Sequence, residues 1–178
     1  MTCDNCPLAP LNNFTIVKPR GNIHGDLFFI GEAPGYKERK LGYTFVGKAG
    51  MLLQAFVNEY GFNKVAYFTN SIKCRPPNNR TPYDMELKAC RPTLLKEIGN
   101  GKPKIIVLLG NTAINQFFNK EINNVTKLNN KVIRIGNSFI FFGFHPAYIL
   151  RNEELDKIYH SLFRKLRIVY KLFVNKYI

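Results

Sequence analysis

Four short apolar runs, Asp26–Ile30, Val65–Thr69, Lys104–Leu109 and Phe139–Phe142, constrain this chain more than anything else in it. Each is continuous rather than alternating and rich in Ile, Val or Phe, the pattern of a strand covered on both faces. Helical patterns separate them, roughly at Lys48–Tyr60, Asp84–Gly99 and Thr112–Asn119. Strands alternating with helices predict an α/β layer fold around a mostly parallel, four-stranded sheet. At 178 residues the chain has the length of one domain, taken here as 1–178.

In such folds function gathers in loops beyond the carboxyl ends of the strands. Here the first strand runs into Gly31-Glu32-Ala33-Pro34-Gly35 and the second into Asn70. The third runs into Gly110-Asn111-Thr112 and the fourth into His145-Pro146-Ala147. A carboxylate, a carboxamide and an imidazole are therefore expected on one edge of the sheet.

Composition narrows the classes. An apolar content of 46% excludes a disordered chain, and no apolar run reaches the ~18 residues of a membrane span. The start, Met1-Thr2-Cys3-Asp4, lacks the apolar stretch of a secretory signal, so a cytoplasmic or nucleoid-associated, non-secreted protein is expected. Lys and Arg outnumber Asp and Glu by 26 to 12, a net charge of +14. Such an excess attracts polyanions, nucleic acid foremost. The alternative is AT-rich codon usage, which also favours Lys, Asn and Ile. The last segment, Lys157–Ile178, is basic with apolar residues at helical spacing (Ile158, Leu162, Leu166, Val169, Phe173). It reads as a docking helix with a solvated basic face.

Four cysteines remain: Cys3 and Cys6 in a CxxC, then Cys74 and Cys90, each followed by Arg-Pro. Without a secretory signal a disulfide framework is the weaker explanation. Four thiols suit tetrahedral zinc or an iron–sulfur cluster, and spacing alone does not choose between them.

Three separated motifs carry a resemblance. Gly31-Glu32-Ala33-Pro34-Gly35-Tyr36-Lys37-Glu38 with Thr44-Phe45-Val46-Gly47-Lys48-Ala49-Gly50 is similar to the first motif of the family 4 uracil-DNA glycosylases. Thr69-Asn70-Ser71-Ile72-Lys73-Cys74-Arg75-Pro76-Pro77-Asn78-Asn79-Arg80 resembles the segment from that family's base-reading Asn to its third cluster cysteine and beyond. His145-Pro146-Ala147-Tyr148-Ile149-Leu150-Arg151 resembles its last motif. The match runs from Cys3 to about Asn152, with the four cysteines in the family's order.

The resemblance implies a three-layer α/β/α fold and a monofunctional enzyme that flips uracil out of single- or double-stranded DNA, hydrolyses its glycosidic bond and leaves an abasic site. It implies a [4Fe-4S] cluster on Cys3, Cys6, Cys74 and Cys90, stapling the loop Arg75–Pro82. Glu32, His145 and Glu38 become the candidate catalytic residues. Gly31, Ala33, Gly35, Phe45 and Asn70 become the uracil pocket, with Phe45 stacking on the base and Asn70 reading its edge. Leu150 is the candidate wedge beside Tyr148, and Lys48, Lys73, Arg75, Arg80 and Arg151 are candidate phosphate contacts. A monomer is expected, with a replication or repair protein as a further partner.

Departures from the family pattern are Arg39 after Glu38, Asn129-Asn130 where an Arg-Gly pair is usual, and short ends that read as a minimal version of the family. Glu32 separates the chain from the family 5 relatives. Gly42-Tyr43-Thr44-Phe45 following directly on the first motif separates it from the branch that crosslinks to DNA. The competing reading is a catalytically idle DNA-binding or replication-accessory module on the same fold.

Overall fold

In the computed structural model, which describes residues 3, 6–13, 15–122 and 124–174, helices and strands alternate as the apolar runs predict. The chain opens with a short helix, α1 (Leu8–Leu11), followed by β1 (Arg20–Gly21) and β2 (Leu27–Gly31). Next come α2 (Tyr36–Leu41), α3 (Lys48–Glu59), β3 (Ala66–Asn70) and α4 (Asp84–Gly101). Then follow β4 (Ile105–Leu109), α5 (Asn111–Phe118), α6 (Val125–Leu128), β5 (Val132–Ile135) and β6 (Ser138–Gly143). The last elements are α7 (Pro146–Ile149) and α8 (Asp156–Val169). A π-helical turn, Tyr170–Val174, continues α8. The end of the basic segment, 175–178, lies outside the described residues.

The sheet is six-stranded, in the order β1-β3-β2-β4-β6-β5. Its centre is the expected parallel quartet, β3-β2-β4-β6. The expectation of four strands is corrected by two antiparallel edges, β1 on β3 and β5 on β6. The first is only two residues long. The second, Val-Ile-Arg-Ile, buries no residue fully and so shows no continuous apolar run.

β2, β3 and β4 are buried along their whole length, because helices cover both faces. Leu27, Phe29, Phe68, Val107 and Phe141 pack on one face with Leu53 and Phe56 of α3 and Tyr159, Leu162 and Phe163 of α8. Phe28, Ile30, Tyr67, Ile106 and Phe142 pack on the other with Leu94 of α4 and Ala113 and Ile114 of α5. The result is the three-layer α/β/α arrangement. α8 buries Leu162, Leu166 and Val169 and half-buries Ile158, as a docking helix does, with Arg164 and Arg167 exposed, whereas Phe173 of the expected stripe stands exposed in the turn that follows. Burying one such large apolar side chain stabilises by roughly 1.5–3 kcal/mol, so this face anchors α8 firmly. Among the described residues no helix is long and apolar enough to cross a membrane.

Candidate active site and cysteine cradle

The carboxyl ends of the four parallel strands deliver their residues to one edge. Gly31 ends β2, Asn70 ends β3, Gly110 follows β4, and His145 lies two residues beyond β6. Backbone bonds carry the β2–β3 pairing past the strands, from the Ser71 N–H to the Gly31 carbonyl (2.9 Å) and the Ile72 N–H to the Glu32 carbonyl (3.2 Å). Gly31 and Glu32 thus sit on a rigid ladder rather than a free loop.

Gly31 is buried at the point where the site's side chains meet. A Cβ there would lie 2.5 Å from Asn70 Oδ1, 2.8 Å from Phe45 Cζ and 3.5 Å from His145 Nε2. An aromatic ring, a carboxamide and an imidazole therefore converge on one bare Cα. Beside them lies a cavity of about 550 Å³ lined by Glu32, Ala33, Gly35, Glu38, Phe45, Asn70 and His145. A second groove of about 950 Å³ also reaches Glu32, His145, Tyr148 and Arg151 and extends along α5.

Phe45 is held in an uncommon backbone state, φ 55°, which a bulky residue adopts only when its surroundings fix it. The surroundings do so. Arg20 donates to its carbonyl (3.3 Å), its ring packs on Phe68, and Gly50 in the first turn of α3 presses on its backbone. A Cβ at Gly50 would sit 2.1 Å from the Phe45 carbonyl carbon. Asn70 is 3% exposed, yet its carboxamide makes no hydrogen bond to any described residue. Its amide borders the cavity rather than being sealed in protein, which places it to meet a ligand.

His145 is partly exposed towards the cavity, with its imidazole packed against protein. Burial, helped by the positive charge of Arg151, pushes its imidazole down to about 4. It is therefore neutral near pH 7. Its Nδ1 accepts the Ala147 N–H (3.3 Å), which leaves the proton on Nε2, the atom that faces Gly31. A neutral donor is thus aimed at the cavity.

Glu32 is gripped by Thr112, whose Oγ1 donates to its Oε2 at 2.6 Å from the first turn of α5. That is the length of a charge-assisted bond. Sequence reasoning did not single out Thr112, since a Thr opening a helix carries no distinctive signal. Glu38, read as a catalytic candidate, spends one carboxylate oxygen on the Gly47 N–H (2.8 Å), tying α2 to the start of α3. Its geometry is that of a loop fastener at the cavity wall.

The expected cationic residues separate into two groups. Lys48 is exposed at the start of α3, and Arg151 is exposed at the cavity rim. Arg75 lies over the Tyr36 ring (5.5 Å) with its Nε on Asn79 Oδ1 (2.7 Å), and among the described residues no carboxylate pairs with it. Arg80 instead forks onto both Glu86 oxygens (2.9 and 2.6 Å) while lying 3.6 Å over the Tyr83 ring. Lys73 is corrected outright: its side chain is 2% exposed and paired with Glu97, so it reaches no phosphate. Leu150 stands 42% exposed beside Tyr148 at the end of α7, rather than packed beneath the loop.

The cysteines gather on the far side of β3. Cys74 packs with Leu8 and Ile72, and Cys6, Cys90 and Leu87 lie against that cluster. Burial pushes the Cys74 thiol up to about 12, and negative charge on Cys90, Cys3 and Cys6 adds to it. Cys90 is pushed up to about 11, chiefly by burial, against the pull of Lys73. All four are free of disulfides. Cys74 and Cys90, raised by burial with neighbouring thiols adding to it, belong to a four-thiol donor set whose charge a bound cationic centre relieves. Among the described residues the side chains are not drawn into a closed metal-ligating group, so the fit rests on donor chemistry.

A family model described as the uracil DNA glycosylase superfamily matches residues 18–167. The chain belongs to that superfamily. The type-4 uracil-DNA glycosylase of Thermotoga maritima is 42% identical over 160 residues, covering 88% of this chain and 83% of that protein. Its counterpart in Sulfurisphaera tokodaii is 37% identical over 176 residues, 94% of this chain and 80% of the other. The Archaeoglobus fulgidus protein is 34% identical over 174 residues, 93% and 87%. The uracil-DNA glycosylase model begins after the first cysteine pair and ends within α8, so it spans every strand and the whole cavity.

Proposed function

We propose that the chain is a monofunctional uracil-DNA glycosylase of the type-4 kind, acting in base excision repair on uracil in DNA. The convergence of Phe45, Asn70 and His145 on Gly31, with Glu32 at the same cavity, is the observation that carries this reading.

A base must leave the helical stack before such a cavity can hold it. Leu150, apolar and exposed at the rim, fills the gap in the stack without asking for hydrogen bonds. Phe45 offers a flat face to the flipped base, a contact worth ~1–3 kcal/mol. The Asn70 carboxamide donates to uracil O4 and accepts from N3–H. Cytosine presents the reverse pattern, and the same amide then meets donor against donor.

Hydrolysis breaks the C1′–N1 bond with its electron pair departing on the uracil, and water adds at C1′. Negative charge grows on uracil O2, where the neutral His145 Nε2–H donates; a donor fixed beforehand costs nothing to reorient as charge develops. Positive charge grows on the sugar, which the Glu32 carboxylate offsets while it orients the water and takes its proton. Thr112 keeps that carboxylate from turning away. Among the described residues no lysine lines the cavity that holds Phe45 and Asn70, which favours simple hydrolysis.

Cys3, Cys6, Cys74 and Cys90 are the residues that hold a [4Fe-4S] cluster in this reading. When bound, such a cluster would supply structure rather than reaction chemistry, since the four cysteines that would hold it lie on the N-terminal segment, the segment after β3 and α4. The idle-module alternative has nothing in the site to favour it, since Glu32, Asn70 and His145 are all in the cavity.

The test is a single-uracil oligonucleotide incubated with the chain and then treated with alkali. Strand cleavage that needs the alkali supports the reading. An intact strand, beside a relative that cleaves the same substrate, overturns it.

A further inference from the structure

Beneath the reading residue lies a buried polar triangle that the hydrolytic mechanism does not use. The Lys73 ammonium has three protons and three acceptors: Thr69 Oγ1 (2.6 Å), the Asn70 main-chain carbonyl (2.8 Å) and Glu97 Oε2 (2.8 Å). Thr69 donates its own hydroxyl hydrogen bond to the same Glu97 oxygen at 2.7 Å, closing the figure. The Lys73 side chain is 2% exposed and that of Glu97 14% exposed. A buried ion pair is a poor way to stabilise a fold, since apolar residues of the same volume usually do as well. What this one does have is a specific geometric target.

That target is the backbone of Asn70. The carboxamide makes no hydrogen bond to any described residue, so no side-chain partner sets its direction. Its aim depends on the main chain that bears it, which β2 holds from one side. On the other side the carbonyl of Asn70 is held by Lys73, three residues on, and Lys73 is fixed in turn by Glu97 of α4.

We propose that Lys73, Thr69 and Glu97 form a positioning unit that sets the direction of the Asn70 carboxamide, so that base selection depends on a lysine that never touches the base. The unit rests on the reading of Asn70 as the uracil-recognising group. It also explains why a lysine beside Arg75 in a basic loop faces inward.

The experiment compares wild type with Lys73→Met/Glu97→Met, which removes both buried charges together, and with the isosteric Thr69→Val. Three quantities are read: the single-turnover rate of uracil excision, inhibition by free uracil, and affinity for DNA containing an abasic site. In the folded double variant, excision and free-uracil affinity are expected to fall together by roughly 10- to 100-fold, the scale of a slightly misplaced group. Abasic-site affinity stays at the wild-type value, because the DNA-facing cations are untouched. Thr69→Val, which keeps the ammonium and its bond to Asn70, is expected to show the same joint loss at roughly three- to tenfold. Wild-type excision and wild-type free-uracil inhibition in the folded double variant overturn the proposal. If that variant does not fold, the same wild-type values in Thr69→Val overturn it. A wild-type chain that leaves uracil DNA intact instead overturns the functional reading on which the proposal stands.

Discussion

His145 shows how one side chain's surroundings can select its chemical role. An exposed imidazole titrates near 6.5 and would divide its time between donor-only and donor–acceptor forms at neutral pH. Burial and Arg151 bring this one down to about 4, so a single neutral tautomer persists through the physiological range. The consequence for stability has a definite sign. The unfolded chain takes up the proton near pH 6.5 and the folded chain only near 4. The contribution is therefore complete above 6.5 and is lost as the pH falls from 6.5 towards 4, up to roughly 3 kcal/mol. Nitrogen NMR on the labelled protein is expected to show His145 protonated on Nε2 alone down to about pH 5. Arg151→Gln removes a repelling charge and should move the midpoint upward. His145→Ala is expected to slow the chemical step by ~10²–10³ with little change in DNA affinity, the cost of losing one preorganised donor. Normal excision combined with weakened DNA binding in that variant would assign the residue to binding instead.

The elements work by bringing their ends, rather than their lengths, to the site. β2 and β3 pair through Gly31 and Asn70, so the point where the site's side chains meet is itself a rung of the sheet. Gly31→Ala tests that directly. The added methyl falls 2.5 Å from the Asn70 amide oxygen and 2.8 Å from the Phe45 ring, so both side chains must leave the positions in which they would meet a base. The variant is expected to melt lower than wild type, because the crowded position is buried, and to lose excision by more than about a hundredfold together with inhibition by free uracil. The N-terminal segment, the segment after β3 and α4 carry the second elemental prediction. Protein purified without oxygen should be brown and hold about four irons per chain, as four thiolates bind in such clusters. One zinc and no iron would mean a different staple. The parallel quartet was readable because strands covered on both faces have no polar residues to interrupt them. β5 was not, because Val132–Ile135 lies on an edge and mixes Arg134 into its exposed side. Glu32, Asn70 and His145 were readable because each closes a strand or the loop after it. Thr112 was missed and Lys73 misassigned for a common reason: a side chain's direction depends on tertiary partners, Glu32 for one and Glu97 for the other, that lie far away in sequence.

Over the whole molecule a charge of +14 draws the chain to any polyanion, but the count overstates what reaches DNA. Lys73 is neutralised inside the protein by Glu97, and the partly exposed Arg80 is neutralised by the buried Glu86. α8 exposes Arg164 and Arg167 on a helix whose opposite face docks on the core, so part of the charge adds attraction without belonging to the site. Among the described residues Lys48, Arg75 and Arg151 remain as cations on the motif loops with no carboxylate paired to them. Affinity that comes from phosphate contacts falls with salt because each contact releases condensed counterions, with a log–log slope of about −0.9 per phosphate on duplex DNA and about −0.7 on single strands. Substituting Lys48, Arg75 or Arg151 by Gln is therefore expected to make the slope on abasic-site duplex shallower by about 0.9 each. The Arg80→Gln/Glu86→Gln pair removes two charges that already cancel and should leave the slope at its wild-type value. Fluorescence anisotropy across a salt series reads both arms. A shallower slope for the Arg80/Glu86 pair would show that Arg80 leaves Glu86 for a phosphate when DNA arrives. An unchanged slope for all three single variants would move the DNA-binding face away from the cavity rim, most naturally to the basic side of α8.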